Sequence, residues 1–130
     1  MFRVDVDAHV DETEATWNYL DEGEERYRPV SVDPGVPVNP GDPRVHRLWL
    51  IDGHFELRHT RDDHRAGTTE AIRTLEDVDG RLAHMDELRI DVQVLYPKRM
   101  LSEVTERPEV ELALTRSYNR WIAARAHDTN

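Results

Sequence analysis

Apolar and polar residues alternate strictly from Phe2 to Val10 at the start of the chain. Phenylalanine, valine and alanine side chains would lie on one face, and Arg3, Asp5, Asp7 and His9 would lie on the other. This period of two residues predicts a β-strand. The strand would end near His9, so that Asp7 and His9 leave it on the same side.

The second half of the chain has a more regular pattern. Residues 79–90 place apolar side chains along one side of a helix, and residues 91–97, DVQVLYP, form an apolar run closed by proline. Such a run predicts a strand that is buried on both faces, as in a parallel sheet. Residues 107–128 predict a long amphipathic helix. Its apolar face contains Val110, Leu114, Tyr118, Trp121 and Ile122.

A long excursion, residues 13–78, separates these two parts. Five of the seven prolines fall within residues 29–43, which excludes a helix there and predicts an extended loop. Residues 47–59 contain two β-prone runs around the dipeptide Asp52-Gly53, which is a strong signal for a hairpin turn. We therefore expect a β-hairpin that stands apart from the other strands.

The predicted order of elements is a strand, the excursion with its hairpin, a helix, a strand and a helix. This order is typical of α/β proteins. We expect residues 92–96 to form a strand beside residues 3–8 and parallel to it, joined by a right-handed crossover. Two parallel strands make a poor sheet on their own. We therefore expect that further strands are needed to cover the apolar face of the last helix.

Composition narrows the classes of partner. The chain has 27 acidic and 17 basic residues, for a net charge of -10, which argues against nucleic acid and anionic membrane surfaces as partners. It has no apolar run long enough for a membrane-spanning helix and no signal-peptide core at its start. It also has no cysteine, which excludes disulfides and thiolate metal sites. We expect a soluble, cytoplasmic protein.

Asp7 and His9 are the candidate metal ligands. On a strand their Cα atoms would be ~6.5 Å apart, which lets a carboxylate and an imidazole bind one divalent cation. Such a cation can lower the pKa of a bound water molecule or polarise a substrate oxygen. The same spacing also occurs where the pair caps a strand or makes surface hydrogen bonds, so spacing alone leaves both interpretations open.

Four segments resemble the N-terminal part of the amidohydrolase superfamily, in the branch of aminocarboxymuconate-semialdehyde decarboxylase and related aromatic-acid decarboxylases. Together they run in the family's order over nearly the whole chain. They are VDVDAHVDE at 4–12, WLIDG at 49–53, RLAHMDELRIDVQVLYP at 81–97 and YNRWIA at 118–123. The third segment has Arg89 at a position where the family usually has glycine. In the family, that glycine ends the helix in a left-handed turn.

The resemblance implies a metal-dependent (β/α)₈ barrel. Residues 1–130 would be one partial domain, the N-terminal βα units, with 13–78 as a lid-like insertion that carries the β-hairpin. Asp7 and His9 match positions that ligate a divalent ion, usually zinc or manganese, and Glu12 matches an acid often found just after them. The family's other ligands, a histidine and an aspartate, belong to later strands, so we expect this chain alone to bind metal weakly.

Two functions remain open. The first is the N-terminal portion of a metal-dependent hydrolase or decarboxylase that acts on a small, carboxylated organic substrate. A partner chain or self-association would complete its barrel, and the sequence identifies no catalytic residue. The second is a non-catalytic truncated remnant, which would act as an interaction or oligomerisation module through open strand edges and the apolar face of the last helix.

The remaining histidines and the tryptophans have simpler interpretations. Four histidines of the excursion are expected to be solvated loop residues: His46, His54, His59 and His64. The three tryptophans are expected in the core: Trp17, Trp49 and Trp121. Trp49 belongs to the predicted hairpin and is therefore also placed to line a pocket.

Overall fold

The computed structural model describes residues 1–38, 41, 46–58 and 63–127. Within these ranges the chain is a mixed α/β structure with two small sheets. The strands are β1 (Val4–Val10), β2 (Val30–Val32), β3 (Arg47–Ile51), β4 (His54–Arg58) and β5 (Val92–Pro97). The α-helices are α1 (Asp63–Ala66), α2 (Glu70–Arg73), α3 (Val78–Leu88) and α4 (Pro108–His127). Two 3₁₀ turns, Glu14–Tyr19 and Glu25–Tyr27, lie between β1 and β2.

Strands β1 and β5 form a parallel pair. Val4 lies opposite Val92 at one end and Val10 lies opposite Pro97 at the other. This pairing confirms the predicted parallel arrangement of the first strand and the strand at 92–96. Among the described residues no other strand joins this sheet, so they contain no closed barrel.

Strand β1 contains a β-bulge between Asp5 and Ala8. Asp5 lies opposite Gln93 and Ala8 lies opposite Leu95, so β1 has one residue more than β5 in this interval. One extra residue reverses the alternation of side chains beyond it. The strict alternation predicted from Phe2 to Val10 is therefore wrong, and Val4 and Val6 do not share a face with Val10, which lies after the bulge.

One face of the parallel sheet is covered and the other is open. On the covered face Ala8 and Val10 are 6% and 0% exposed, because they pack against the helical side of the molecule. The apolar residues on the other side are 39% to 66% exposed, and we call them the open face: Val4, Val6, Val92, Val94 and Tyr96. The prediction that residues 91–97 are buried on both faces is wrong, since helices cover only one side.

The second sheet is an antiparallel meander in the order β2-β3-β4. Its hairpin turns at Asp52 and Gly53, which have φ angles of 46° and 82°, as a two-residue turn with left-handed central residues requires. The hairpin and its separation from the parallel sheet confirm the prediction. Strand β2, which pairs with Leu48–Leu50, lies in the stretch that we expected to be an extended loop.

Helix α3 begins and ends with local signals in the sequence. The side chain of Asp77 caps its first turn, and Arg89 ends it in the left-handed conformation, with φ of 58°. Leu82 and Leu88 are 41% and 50% exposed, so these two leucines of the predicted apolar side do not pack in a core. No helix in the described ranges has both the length and the apolar character needed to cross a membrane.

The core consists of two clusters that α4 connects. Trp17 and Trp49 meet edge to face in the first, with ring centroids 6.2 Å apart and an angle of 84° between the planes. That cluster also contains Ile51, Val104, Val110 and Leu114. The second cluster contains Val10, Leu75, Tyr118 and Trp121. The predicted burial of the three tryptophans is confirmed, because each is at most 2% exposed.

Candidate functional site at the end of the parallel sheet

The side chains of Asp7 and His9 meet near the carboxyl end of β1. Oδ1 of Asp7 lies 3.4 Å from Nε2 of His9. The Asp7 side chain is 88% exposed and that of His9 is 35% exposed, so both candidate metal ligands are accessible to solvent. The other ring nitrogen of His9, Nδ1, is buried and has no hydrogen-bond partner in the part of the chain described. The pair therefore offers two ligand types on one side of the strand.

Glu12 is engaged elsewhere. The residue is 3% exposed, and its carboxylate accepts hydrogen bonds from the backbone amides of Lys98, Arg99 and Met100, at 2.9 to 3.2 Å. No group of three or more histidine, aspartate or glutamate side chains is close enough to hold a metal ion within the described ranges. Asp7, His9 and Glu12 are thus not assembled as one ligand set, and a metal role for the pair stays a prediction.

Burial controls the protonation of Glu12 and its neighbour Tyr118. Desolvation raises the pKa of Glu12 above its ordinary value of 4.5, although the backbone amides that donate to it act in the opposite direction. Burial, followed by the nearby Glu12 charge, raises the pKa of Tyr118. The Tyr118 hydroxyl is buried without a hydrogen-bond partner in the described part of the chain. The Glu12 carboxyl group and the Tyr118 phenol are thus two buried titratable groups that lie near each other.

A cavity of about 390 Å³ lies between the end of the parallel sheet and the antiparallel hairpin. We call it the hairpin cavity. It is lined by residues that follow β1 and β5, by α2 and by strands β3 and β4. Its basic side chains are Arg47, Arg58, Arg73, Lys98 and Arg99. Its acidic side chains are Asp11, Glu12, Glu56 and Glu70. Basic side chains thus outnumber acidic ones by five to four around this cavity, in a chain whose net charge is -10.

Trp49 and Arg58 form one wall of the hairpin cavity. The guanidinium carbon of Arg58 lies 4.6 Å from the centre of the Trp49 ring, within the range of a cation–π contact. Arg58 also donates to Glu14 at 3.0 Å and to Ser31 at 2.9 Å. Contacts with Trp49, Glu14 and Ser31 therefore fix the position of the Arg58 side chain. Trp49 is among the residues around the cavity, but at 2% exposed it belongs to the core.

A second, smaller cavity of about 260 Å³ includes Asp7 and His9. Arg81 lies in it and donates to the side chain of Gln93 at 2.9 Å and to the carbonyl oxygen of His9 at 3.2 Å. Burial lowers the pKa of Arg81. Arg73 lines both cavities, so this arginine stands between the Asp7–His9 pair and the hairpin cavity.

No protein-family model, curated protein or solved structure matches this chain. The resemblance to the amidohydrolase superfamily therefore rests on the four segments quoted above.

The excursion histidines divide into three groups. His54 is exposed, and its Nδ1 lies 3.1 Å from the carbonyl oxygen of Asp52. His46 is 1% exposed, so its interpretation as a solvated loop residue is wrong; it lies just before β3. The predictions for His59 and for the side chain of His64 fall outside the described residues.

Sequence reasoning missed the basic residues of the hairpin cavity. Lys98 and Arg99 directly follow β5, and the carboxyl ends of parallel strands are where α/β proteins bind ligands. Their position in the sequence could therefore have predicted a role in binding. No sequence signal marks Arg73, because its place at the cavity depends on tertiary contacts such as the hydrogen bond from the backbone amide of Asp11 to the carbonyl oxygen of Arg73, at 2.9 Å.

Proposed function

We propose that this chain is the N-terminal part of an amidohydrolase-like, metal-dependent hydrolase or decarboxylase that acts on a small, carboxylated organic substrate. The observation that carries the proposal is the meeting of Asp7 and His9 near the carboxyl end of a strand in a parallel pair. In (β/α)₈ barrels the catalytic groups come from this end of the strands.

The open face supports the architectural part of the proposal. Parallel sheets are normally covered on both faces, whereas Val6 and Val94 are 66% and 41% exposed here. Further strands of a barrel would turn this face into a packed interior. Residues 13–78 would then be the lid, with the hairpin above the strand ends.

The donor chemistry of Asp7 and His9 fits a divalent cation such as zinc or manganese. A carboxylate and an imidazole are both common ligands of such ions, and here they lie 3.4 Å apart. The remaining ligands would come from strands outside these residues. When bound, the ion would supply an activated water molecule or a polarised substrate oxygen.

The hairpin cavity supports the substrate class. Five basic side chains line it, and guanidinium groups are well suited to carboxylates. Leu57, which also lines the cavity, gives the apolar part of a small organic acid a surface to contact. The general base would come from residues that this chain does not supply.

A second function is favoured by one observation, the exposure of the open face. A non-catalytic interaction or oligomerisation module would use these valines and the free edges of β1 and β5, since open parallel edges invite pairing with another chain. In that case Asp7 and His9 would form no more than a surface contact.

Zinc retention separates the two functions. The chain would be expressed alone and with the later strands of an amidohydrolase-superfamily barrel that lacks its own first βα units, then dialysed exhaustively. We expect little zinc on the chain alone and close to one zinc per complex. Asp7→Ala and His9→Ala should remove this gain, whereas Asp86→Ala, a change at an exposed position of α3, should keep it.

Two results would count against the proposal. Tightly held, stoichiometric zinc on the chain alone, together with turnover, would show that these residues complete a site without further strands. A complex that forms through the open face but gains no zinc would favour the interaction module.

A further inference from the structure

Two arginines of the hairpin cavity each keep a buried donor without a partner. The Nε groups of Arg73 and Arg99 are buried, and neither has a hydrogen-bond partner among the described residues. Arg73 as a whole is only 8% exposed. Buried polar groups nearly always have partners in folded proteins, and leaving a charged donor unpaired costs more than leaving a neutral one. Both arginines line the same cavity.

The carboxylates of the cavity do not satisfy these donors. Oδ2 of Asp11 is 3.6 Å from Nε of Arg73, which is an ion-pair distance and longer than a hydrogen bond. Oε2 of Glu56 is 3.6 Å from a terminal nitrogen of Arg99, not from its Nε. Glu12 is fully used by backbone amides. An acceptor from outside the chain would complete the site.

We infer that the hairpin cavity binds the oxyanion of a small organic acid through the Nε–H groups of Arg73 and Arg99, which are buried in the free chain and turn toward the ligand when it binds. A carboxylate has two oxygens that can each accept from a guanidinium group, in short charge-assisted bonds. The cavity volume of about 390 Å³ is in the range of small-molecule sites. Leu57, which also lines the cavity, would contact the apolar part of the acid.

This inference rests on the proposed function for its ligand class and deepens it by naming where the acid group is held. It requires neither a bound metal nor further strands, because every group involved belongs to the described part of the chain. Its failure can therefore be distinguished from failure of the zinc-retention experiment, which depends on Asp7 and His9.

Arginine Nε–H signals in ¹H–¹⁵N NMR spectra test the site directly. The labelled chain would be titrated with malonate, acetate and inorganic phosphate at constant ionic strength, with chloride as the balancing ion. We expect saturable shifts of the Arg73 and Arg99 signals with malonate, with a Kd of ~1 mM. Arg116 also has a buried Nε without a partner but does not line the cavity, so its signal should stay in place.

Arg99→Lys keeps the charge and removes the Nε–H donor. We expect it to weaken malonate binding about tenfold, the effect of losing one charge-assisted hydrogen bond, while Arg116→Lys leaves binding unchanged. Arg73→Lys is a less clean variant, because Arg73 also donates to Asp63 at 2.8 Å and its loss would disturb α1. Arg99→Lys therefore carries the test.

Three results would overturn the inference. Shifts that grow without saturation, or that affect Arg116 equally, would show general screening by ions. Malonate affinity that Arg99→Lys leaves unchanged would show that its Nε–H does not hold the ligand. Saturation by phosphate at lower concentration than by malonate would replace the carboxylate with a phosphate group as the ligand.

Discussion

The backbone amide of Arg99 donates to both carboxylate oxygens of Glu12, at 2.9 and 3.0 Å. The amides of Lys98 and Met100 donate to the same carboxylate at 3.2 and 2.9 Å. One buried side chain just after β1 therefore fixes the loop just after β5. That loop carries two of the basic side chains of the hairpin cavity, so the geometry of the cavity depends on an acid at its edge.

Glu12→Ala should destabilise the fold. Loss of the carboxylate leaves several buried amide donors without an acceptor, and we expect a decrease of about 1–3 kcal/mol in the free energy of unfolding. Urea unfolding measures this change. Glu22→Ala, at an exposed position of the excursion, is the matched control and should stay within about 0.5 kcal/mol of the parent chain. An equal effect of the two variants would contradict the structural role of Glu12.

The effect of Glu12→Ala should also depend on pH. Burial raises the folded-state pKa of Glu12 above 4.5, so the folded chain binds more protons than the unfolded chain between 4.5 and the raised value. The contribution of Glu12 to stability is fully present below pH 4.5 and is lost as pH rises through its folded pKa. The destabilisation by Glu12→Ala should therefore be larger at or below pH 4.5 than at about pH 7, and the opposite trend would contradict a raised pKa.

Thr105→Val should raise the pKa of Asp52. The Thr105 hydroxyl donates to Asp52, and this hydrogen bond, followed by the charge of Arg107, holds the pKa of Asp52 below its ordinary value of 3.8. Its contribution to stability is present above pH 3.8 and is lost as pH falls through the lowered value. Carboxyl ¹³C NMR measures the change. Glu109, which Arg107 also contacts, is the internal control, and a shift of equal size there would point to a general rearrangement.

Arg89→Gly should stabilise the chain. Arg89 ends α3 with φ of 58°, a conformation that costs a residue with a Cβ atom roughly 1–2 kcal/mol. After the greater flexibility of glycine in the unfolded chain is subtracted, we expect a gain of about 0.5–1 kcal/mol in thermal or urea unfolding. Glu87→Gly, in the last turn of the same helix, should instead destabilise it by about 1 kcal/mol. A loss of stability in Arg89→Gly would show that the arginine side chain has a role of its own.

Threonine on the open face should change association but not stability. Val6 and Val94 are 66% and 41% exposed, so the double change Val6→Thr, Val94→Thr should stay within about 0.5 kcal/mol in urea unfolding. Binding of a fluorescent apolar dye and self-association in sedimentation should both decrease. Val110→Thr, at a position that is 0% exposed, should cost about 1–3 kcal/mol. Strong destabilisation by the double change would mean that the open face is packed.

The elements that sequence predicted correctly are those that local signals define. The hairpin follows from Asp52-Gly53, and the last helix follows from a period that continues over many residues. The bulge in β1 left no such signal, because valines occur both before and after it and the sequence does not distinguish exposed valines from buried ones. Strand β2 was missed because three residues among prolines give no usable period.

The site was predictable only where its residues are neighbours in sequence. Asp7 and His9 are two residues apart, and their convergence follows from the strand. The bonds of Glu12 reach residues 98–100, and a side chain that accepts from a distant backbone has no pattern in the sequence. Arg73 and Arg99 meet at one cavity only because the excursion folds over the end of the sheet.

The edge-to-face pair of Trp17 and Trp49 gives the molecule an optical reporter. Indoles whose centres are 6.2 Å apart couple their electronic transitions, so an exciton couplet in circular dichroism should accompany the native fold. Trp17 belongs to the turn that follows β1 and Trp49 to the hairpin, and the signal therefore depends on their contact. Any displacement of the hairpin from the rest of the molecule should be visible spectroscopically, without an attached label.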